Sequence, residues 1–300
     1  MKNREEQKKV RKPLKELTLL DRFLFDTAMS DSDISRNILS IIFDDREIPP
    51  IHFSAAEQTQ EPYFDSRAVR LDVLAIDEQG TVYDAEAQKE NKGKRFLLRR
   101  SRLYQSAIDV NLLQPGDWDF GKMNDVYIIF IAPFDLFGQD KYMYTFRMSC
   151  DEVPGLSLND GAVRIFLNTH GRNHDEVSPG LVEFLHYAEN PEQYGKDIRD
   201  SRVQKLVEQM DMLKSSQEVG VKYMRLWEEL EDARAEGLSQ GLSQGLSQGL
   251  SQGRETGVEE ERFASIKNLM ESTGWSAQKA MEALKVPEEK WEKYLKLLEK

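Results

Sequence analysis

Apolar residues change their spacing several times along this chain, and each change predicts a different element. From Leu14 to Phe43 they recur at helical spacing, with Leu20, Phe23, Leu24 and Ala28 on one face. Ser30-Asp31-Ser32-Asp33 then offers side-chain oxygens to cap a second helical run, Ile34 to Phe43. Residues 44–66 contain Pro49-Pro50 and Pro62 with few apolar repeats, and read as a loop placed to wall the site. Between Arg67 and Glu90 the period falls to two. Val69, Leu71, Val73 and Ala75 share one face of a strand, while Arg70, Asp72, Leu74 and Ile76 share the other. Asp77-Glu78-Gln79-Gly80 fits a three-residue hairpin loop, with Gly80 in the left-handed position, and Val82, Asp84, Glu86 and Gln88 then line one face of the return strand. If Asp77 pairs with Thr81, that register sets Asp72 directly opposite Glu86.

A helical stretch follows from Lys94 and stops at Gln114-Pro115-Gly116. The nearly unbroken apolar run VYIIFIAPF, between Asp125 and Phe134, predicts a central strand buried on both faces. Tyr142 to Met148 and Val163 to Asn168 add two more strands, and Pro179 to Glu189 a short helix with Leu181, Phe184, Leu185 and Ala188 inward. From Asp197, the positions Val203, Leu206, Met210, Leu213, Gln217, Gly220, Met224 and Trp227 fit one long helix or two pieces broken at Gly220. Such a seam either self-associates or lies on the preceding domain. Gly237 to Gln252 is four copies of GLSQ, extended imperfectly to Glu260. In a helix its glycines and leucines would form neighbouring stripes, and without a partner helix the same composition describes a flexible tether. Arg262 to Lys300 closes with short helical patterns around Phe263, Ile266 and Met270, around Ala280 and Leu284, and around Trp291, Leu295 and Leu298.

These elements predict an α/β fold, a mixed central sheet flanked by helices, followed by a long helix, the repeat and a small helical module. The expected divisions are a basic arm at 1–13, the α/β domain at 14–190, a helical extension at 191–236, the repeat at 237–260 and the tail module at 261–300.

Composition narrows the class. Of the 300 residues 39% are hydrophobic and 31% charged, which suits a globular chain. No run approaches the length of a membrane span, and the charged start MKNREEQKKVRKP has no apolar region behind it, so a cytoplasmic protein is expected. The single cysteine, Cys150, rules out an internal disulfide and reads as a small buried apolar side chain. A net charge of −12 argues against a protein that coats nucleic acid over its whole surface. The distribution is uneven, however. Lys89, Lys92, Lys94, Arg95, Arg99, Arg100 and Arg102 face one acid, Glu90, directly after the hairpin. On a helix Arg95, Arg99 and Arg102 line one stripe suited to phosphates, with Phe96, Leu103, Ala107 and Val110 on an apolar one; a solvated basic face is the plainer account. His170 and His174 read as surface histidines in a loop.

Two carboxylates facing each other on paired strands repel unless a cation sits between them. A hard divalent ion such as Mg²⁺, or Mn²⁺ in its place, takes oxygen ligands of this kind and suits phosphodiester hydrolysis. Gln88 is placed to orient a water but cannot act as a base. On spacing alone, solvated charges on an exposed hairpin face explain Asp72 and Glu86 as well.

The run VRLDVLAIDEQGTVYDAEAQ, with SRLYQSAID, GDWDFGKMNDVYIIFIAPFDLFG, YTFRMSC and FLNTHG after it, resembles the Rpn family of recombination-promoting nucleases and transposases, within the PD-(D/E)XK nuclease superfamily. The resemblance covers roughly residues 14 to 235. It implies a restriction-endonuclease-like fold and a metal-dependent endonuclease acting on DNA. By that resemblance Asp72 and Glu86 hold the metal, the peptide carbonyl of Ala87 adds a ligand and Gln88 fills the third motif position. Lys92, Lys94, Arg95, Arg99 and Arg102 would meet the DNA backbone, and Tyr104 and Gln105, matching a Tyr-Gln pair of the family, would line the strand channel. The opening helices of the superfamily sometimes supply an extra acid, for which Asp21 and Asp26 are the candidates here. Leu71 stands where the superfamily has Pro, and Gln88 where many active members have Lys. A weakly active or inactive DNA-binding or assembly protein, working through repeat and tail, is the alternative.

Overall fold

A computed structural model describes residues 11–60, 69–112 and 119–298, with the backbone alone at 53–60 and 69–73. The chain divides into two compact units, Met1–Arg225 and Leu226–Lys300.

The first unit opens with α1 (Arg22–Met29) and α2 (Ser32–Ile42). Ser30 ends the first and Asp31 starts the second, its carboxylate accepting from the backbone N–H groups of Asp33 and Ile34. The regular helix begins at Arg22, later than the apolar spacing from Leu14 implies, because Leu14–Glu16 forms only a 3-10 turn. Residues read above as a loop instead contain β1 (Ile51–Gln60). Its apolar alternation is weak because it is an edge strand, held by pairing with β2 (Val69–Asp77) along most of its length.

The hairpin from β2 into β3 (Val82–Ala87) forms in the expected register, with Val73 opposite Ala85 and Leu74 opposite Asp84. Asp77 sets it. Its carboxylate accepts from the N–H groups of Gln79 and Thr81, both at 2.9 Å, and from the Tyr83 hydroxyl at 3.0 Å. Gly80 takes φ +83°, the left-handed position that the turn requires.

From β3 the chain crosses through α3 (Lys94–Leu112) to β4 (Val126–Ala132), which runs parallel beside it. β4 is buried at every position, as its apolar run predicts. β5 (Met143–Phe146) and β6 (Ala162–Asn168) complete a mixed six-stranded sheet of order β1-β2-β3-β4-β6-β5. One face carries Tyr83, Ala85, Ile129, Ile131 and Ile165 and is covered by α1, α2, α4 (Pro179–Glu189) and α6 (Ser201–Ser215), with the short α5 (Pro191–Tyr194) between the last two. The other face, with Leu74, Val82, Ile128 and Phe130, packs against Leu97, Tyr104, Ala107 and Ile108 of α3. Val203, Leu206 and Met210 of α6 are buried in the first core, so that part of the seam lies on the sheet domain.

Two local readings are corrected. The helix breaks at Ser216, which is extended at ψ 128° and whose carbonyl accepts from the Gly220 N–H, and not at Gly220. Cys150 is only half-buried, its thiol donating to Glu152 at 3.2 Å.

α7 (Gln217–Thr273) runs without interruption through the GLSQ repeat. Every residue from 228 to 258 is exposed. The glycines from Gly237 to Gly257 have open space where a Cβ would stand, so each costs helix stability, about 1 kcal/mol relative to alanine, without relieving any crowding. In the second unit the end of α7 packs against α8 (Ala277–Ala283), capped by Ser276, and α9 (Trp291–Leu298). Ile266, Ala280, Met281, Val286 and Tyr294 form its small core. Among the described residues no helix is long and apolar enough to cross a membrane.

One glycine is fixed by crowding. A Cβ on Gly171 would collide with the Tyr142 ring and stand 2.5 Å from its backbone nitrogen. Gly171→Ala is expected to destabilise the protein by roughly 2 kcal/mol, read as a lower urea midpoint at unchanged slope.

Candidate functional site

The hairpin and the crossover helix converge on the end of β3. Glu86 and Asp84 lie two residues apart on β3, so their side chains leave the same face, the one beneath α3, and both residues are fully buried. Asp72 lies in β2. The β2–β3 register, continued by one pair beyond Val73 and Ala85, brings its Cα across from that of Glu86. The Asp72 side chain is outside the described residues. Ala87 is the last residue of β3, in register with Ile131, and the Gln88 N–H donates to the Ile131 carbonyl at 2.8 Å.

Glu86 meets Arg100. The guanidinium of Arg100 reaches across from α3 and pairs through Nη2 with Glu86 Oε2, while Nη1 donates to Gln88 Oε1 at 2.9 Å and Nε to the Tyr104 hydroxyl at 2.5 Å. It lies 4.8 Å from the centre of the Tyr104 ring and 5.7 Å from that of Phe130. A carboxylate with 1% exposure cannot be solvated by water, so a cation in contact with it offsets its desolvation. Gln88, itself buried, donates from its amide nitrogen to the Glu90 carbonyl, which fixes its oxygen toward Arg100. Burial, then the nearby charges of Glu86 and Asp84, push the Tyr104 phenol above its ordinary range against the opposing pull of Arg100. Tyr104 therefore stays a neutral hydroxyl.

The basic helix turns a different side to the core than its apolar spacing implies. Leu97, Ser101, Tyr104, Ala107 and Ile108 are buried, while Phe96, Leu103 and Val110 are exposed at 49%, 49% and 38%. Phe96, Leu103 and Val110 therefore do not form the buried stripe, because the face set by Leu97 and Tyr104 is the one that brings Arg100 onto Glu86. Lys92, Lys94, Arg95, Arg99 and Arg102 all remain exposed. Lys94 rests over the Phe137 ring at 4.7 Å. Gln105 is buried and donates to Asp109 at 3.0 Å, so it lines no open channel in this structure.

The sequence placed Arg100 only within the basic run after the hairpin, and gave Asp84 no role beyond its face of the return strand. The signal for Arg100 was present: it falls three residues after Leu97 and four before Tyr104, a cation beside an apolar stripe. Asp21 reaches the same neighbourhood, accepting from Lys89 Nζ at 2.6 Å, from Lys12 Nζ at 3.2 Å and from the Thr18 N–H at 2.9 Å. Asp26 is buried on α1 and pairs with Arg22. His174 and His186 share the buried Tyr142 hydroxyl at 3.2 and 3.3 Å, and His170 pairs with Glu189.

A family model for PD-(D/E)XK nuclease family transposases matches residues 22–236. The chain belongs to this family. The match spans the sheet, α3 and the whole of the Glu86–Arg100 site. No curated protein and no solved structure matches the chain. The Glu86 and Gln88 side chains at the end of β3 offer oxygen donors, which is the chemistry a hard divalent cation accepts. Among the described residues no three His, Cys, Asp or Glu side chains are grouped to hold a metal.

Burial pushes the Asp21 carboxyl up, but the hydrogen bonds from Lys89, Thr18 and Lys12 outweigh it and leave it below the ordinary carboxylate value of 3.8. The contact therefore contributes stability above that ordinary value and loses it as pH falls through the lowered one. Asp21→Asn is expected to cost about 1 kcal/mol at pH 7, since Lys89 is half exposed, with the gap to wild type closing as the pH is taken into the acid range. Urea denaturation of both proteins across that range measures it.

Proposed function

We propose that the chain is a Mg²⁺-dependent endodeoxyribonuclease, working with Mn²⁺ as well, that hydrolyses DNA phosphodiesters in the cytoplasm. The observation that carries the reading is a fully buried glutamate on β3, Glu86, paired with Arg100 of a basic helix that begins eight residues later at Lys94. Asp72, Glu86 and the Ala87 carbonyl would hold the ion. When bound it lowers the pKa of a water and neutralises charge developing on the phosphate. Gln88 orients that water through its amide and takes no proton. Lys92, Lys94, Arg95, Arg99 and Arg102, exposed along the start of α3, grip phosphates on either side of the cut. Tyr104 supports the site from the core as a neutral hydroxyl against Arg100.

A second reading, assembly through the long helix, is favoured by one observation. Leu238, Leu242, Leu246 and Leu250 are exposed at 54–67% beside glycines with open space, so an uncharged leucine ridge runs next to a glycine groove. Rows spaced by four interdigitate in helix pairs, and a second copy of this chain presents the same ridge and groove. The two readings are compatible.

Isosteric changes test the first without leaving Arg100 facing a hole. Asp72→Asn and Glu86→Gln are each expected to reduce Mg²⁺-dependent nicking of supercoiled plasmid at least a hundredfold; nicking that persists in both removes the enzyme reading. Replacing Arg95, Arg99 and Arg102 by Gln should make the log–log salt dependence of DNA binding shallower by about 2 to 3, one phosphate contact each. For the assembly reading, changing the four repeat leucines to Ser should shift the full chain to a smaller mass in light scattering; an unchanged mass argues against it.

A further inference from the structure

We infer that Arg100 is a resident counter-ion that holds the divalent cation's place on Glu86 and Gln88, so that metal binding is an exchange of one cation for another. The inference rests on the metal-dependent reading above. The two oxygens that Arg100 engages, Glu86 Oε2 and Gln88 Oε1, belong to the same two side chains that reading assigns to the ion and its water. Glu86 is 1% exposed, and a carboxylate without water cannot accept a second full positive charge beside a guanidinium at little cost, because the cations repel in a low dielectric.

The arrangement also has a way out. The Arg100 side chain is 21% exposed, at the same end of β3 where the basic residues of α3 begin. A guanidinium that leaves Glu86 needs another anion, and a DNA phosphate is the one this surface is built to attract. Metal and DNA therefore bind with positive coupling. Each favours the arrangement in which Arg100 has left the carboxylate, and the coupling is reciprocal. Arg100 on this account occupies Glu86 and holds Gln88 oriented until the ion arrives, then supplies positive charge to the backbone.

Mn²⁺ titration of the full chain by electron paramagnetic resonance, with and without a phosphorothioate duplex that resists cleavage, tests the exchange. Arg100→Gln is expected to bind Mn²⁺ roughly tenfold more tightly than wild type, the scale of one charge-assisted contact, and to lose the tightening that DNA produces in wild type. Glu86→Gln should abolish the signal in both backgrounds. At saturating Mn²⁺ the same Arg100→Gln protein should cleave about a hundredfold more slowly, so affinity and turnover move in opposite directions. A purely structural arginine would weaken both.

An Arg100→Gln protein that melts like wild type and binds Mn²⁺ no more tightly overturns the inference, as does absence of Mn²⁺ binding to either protein. If Arg100→Gln does not fold, Arg100→Lys, which keeps the charge but cannot bridge Glu86 and Gln88 together, should tighten Mn²⁺ by a smaller factor, and no tightening overturns the inference equally. The nuclease reading fails separately, if wild type saturated with Mn²⁺ leaves plasmid intact while the exchange is still seen.

Discussion

A glutamate buried inside the sheet of this protein needs a positive partner, and much of the first unit is arranged to supply one. Glu86 lies on β3 with strands paired on both sides and α3 above it, so water does not reach it. An isolated charge there would cost several kcal/mol. Arg100 offsets that cost. Its reach depends on the rotation of α3, which is set by Leu97, Tyr104, Ala107 and Ile108 packing on Ile128 and Phe130. Core packing and site electrostatics therefore fix one another: turning α3 to bury Phe96 or Leu103 would withdraw the guanidinium.

The topology does the rest of the positioning. A tight hairpin brings β2 against β3 in one register, and the right length of chain in α3 returns parallel as β4 on the other side. The functional groups therefore collect where β3 ends and α3 begins. The opening helices reach the same place, since Asp21 at the start of α1 takes Lys89, the residue after Gln88. The matched family segment carries both the paired strands and the basic helix.

The second unit follows different physics. α7 crosses the repeat with no side chain covered between 228 and 258, so neither packing nor intrinsic propensity explains its persistence; glycine every fourth residue works against it. Only at its far end does the helix meet a core, where Ile266 joins Met281 and Tyr294 and where Glu259 pairs with Lys290 and Lys293.

Local rules were legible in the sequence wherever one interaction dominates. The Asp77–Gly80 turn fixed the hairpin register, the apolar run from Val126 fixed a doubly buried strand, and Asp31 marked a helix start by its side-chain cap. Family motifs named the region of the site. Other features depended on partners distant in the chain. β1 is a strand because β2 offers it hydrogen bonds, which its own weak alternation does not announce. The inward face of α3 was ambiguous on periodicity, since Phe96, Leu103 and Val110 form as plausible a stripe as Leu97, Tyr104 and Ile108. Packing against the sheet chose between them, and with that choice Arg100 became the partner of Glu86. Sequence by itself determined the hairpin turn and the strands other than β1; the tertiary structure decided that edge strand and which cation meets the buried carboxylate, because a charge inside a protein selects its counter-ion by position in space and not by distance along the chain.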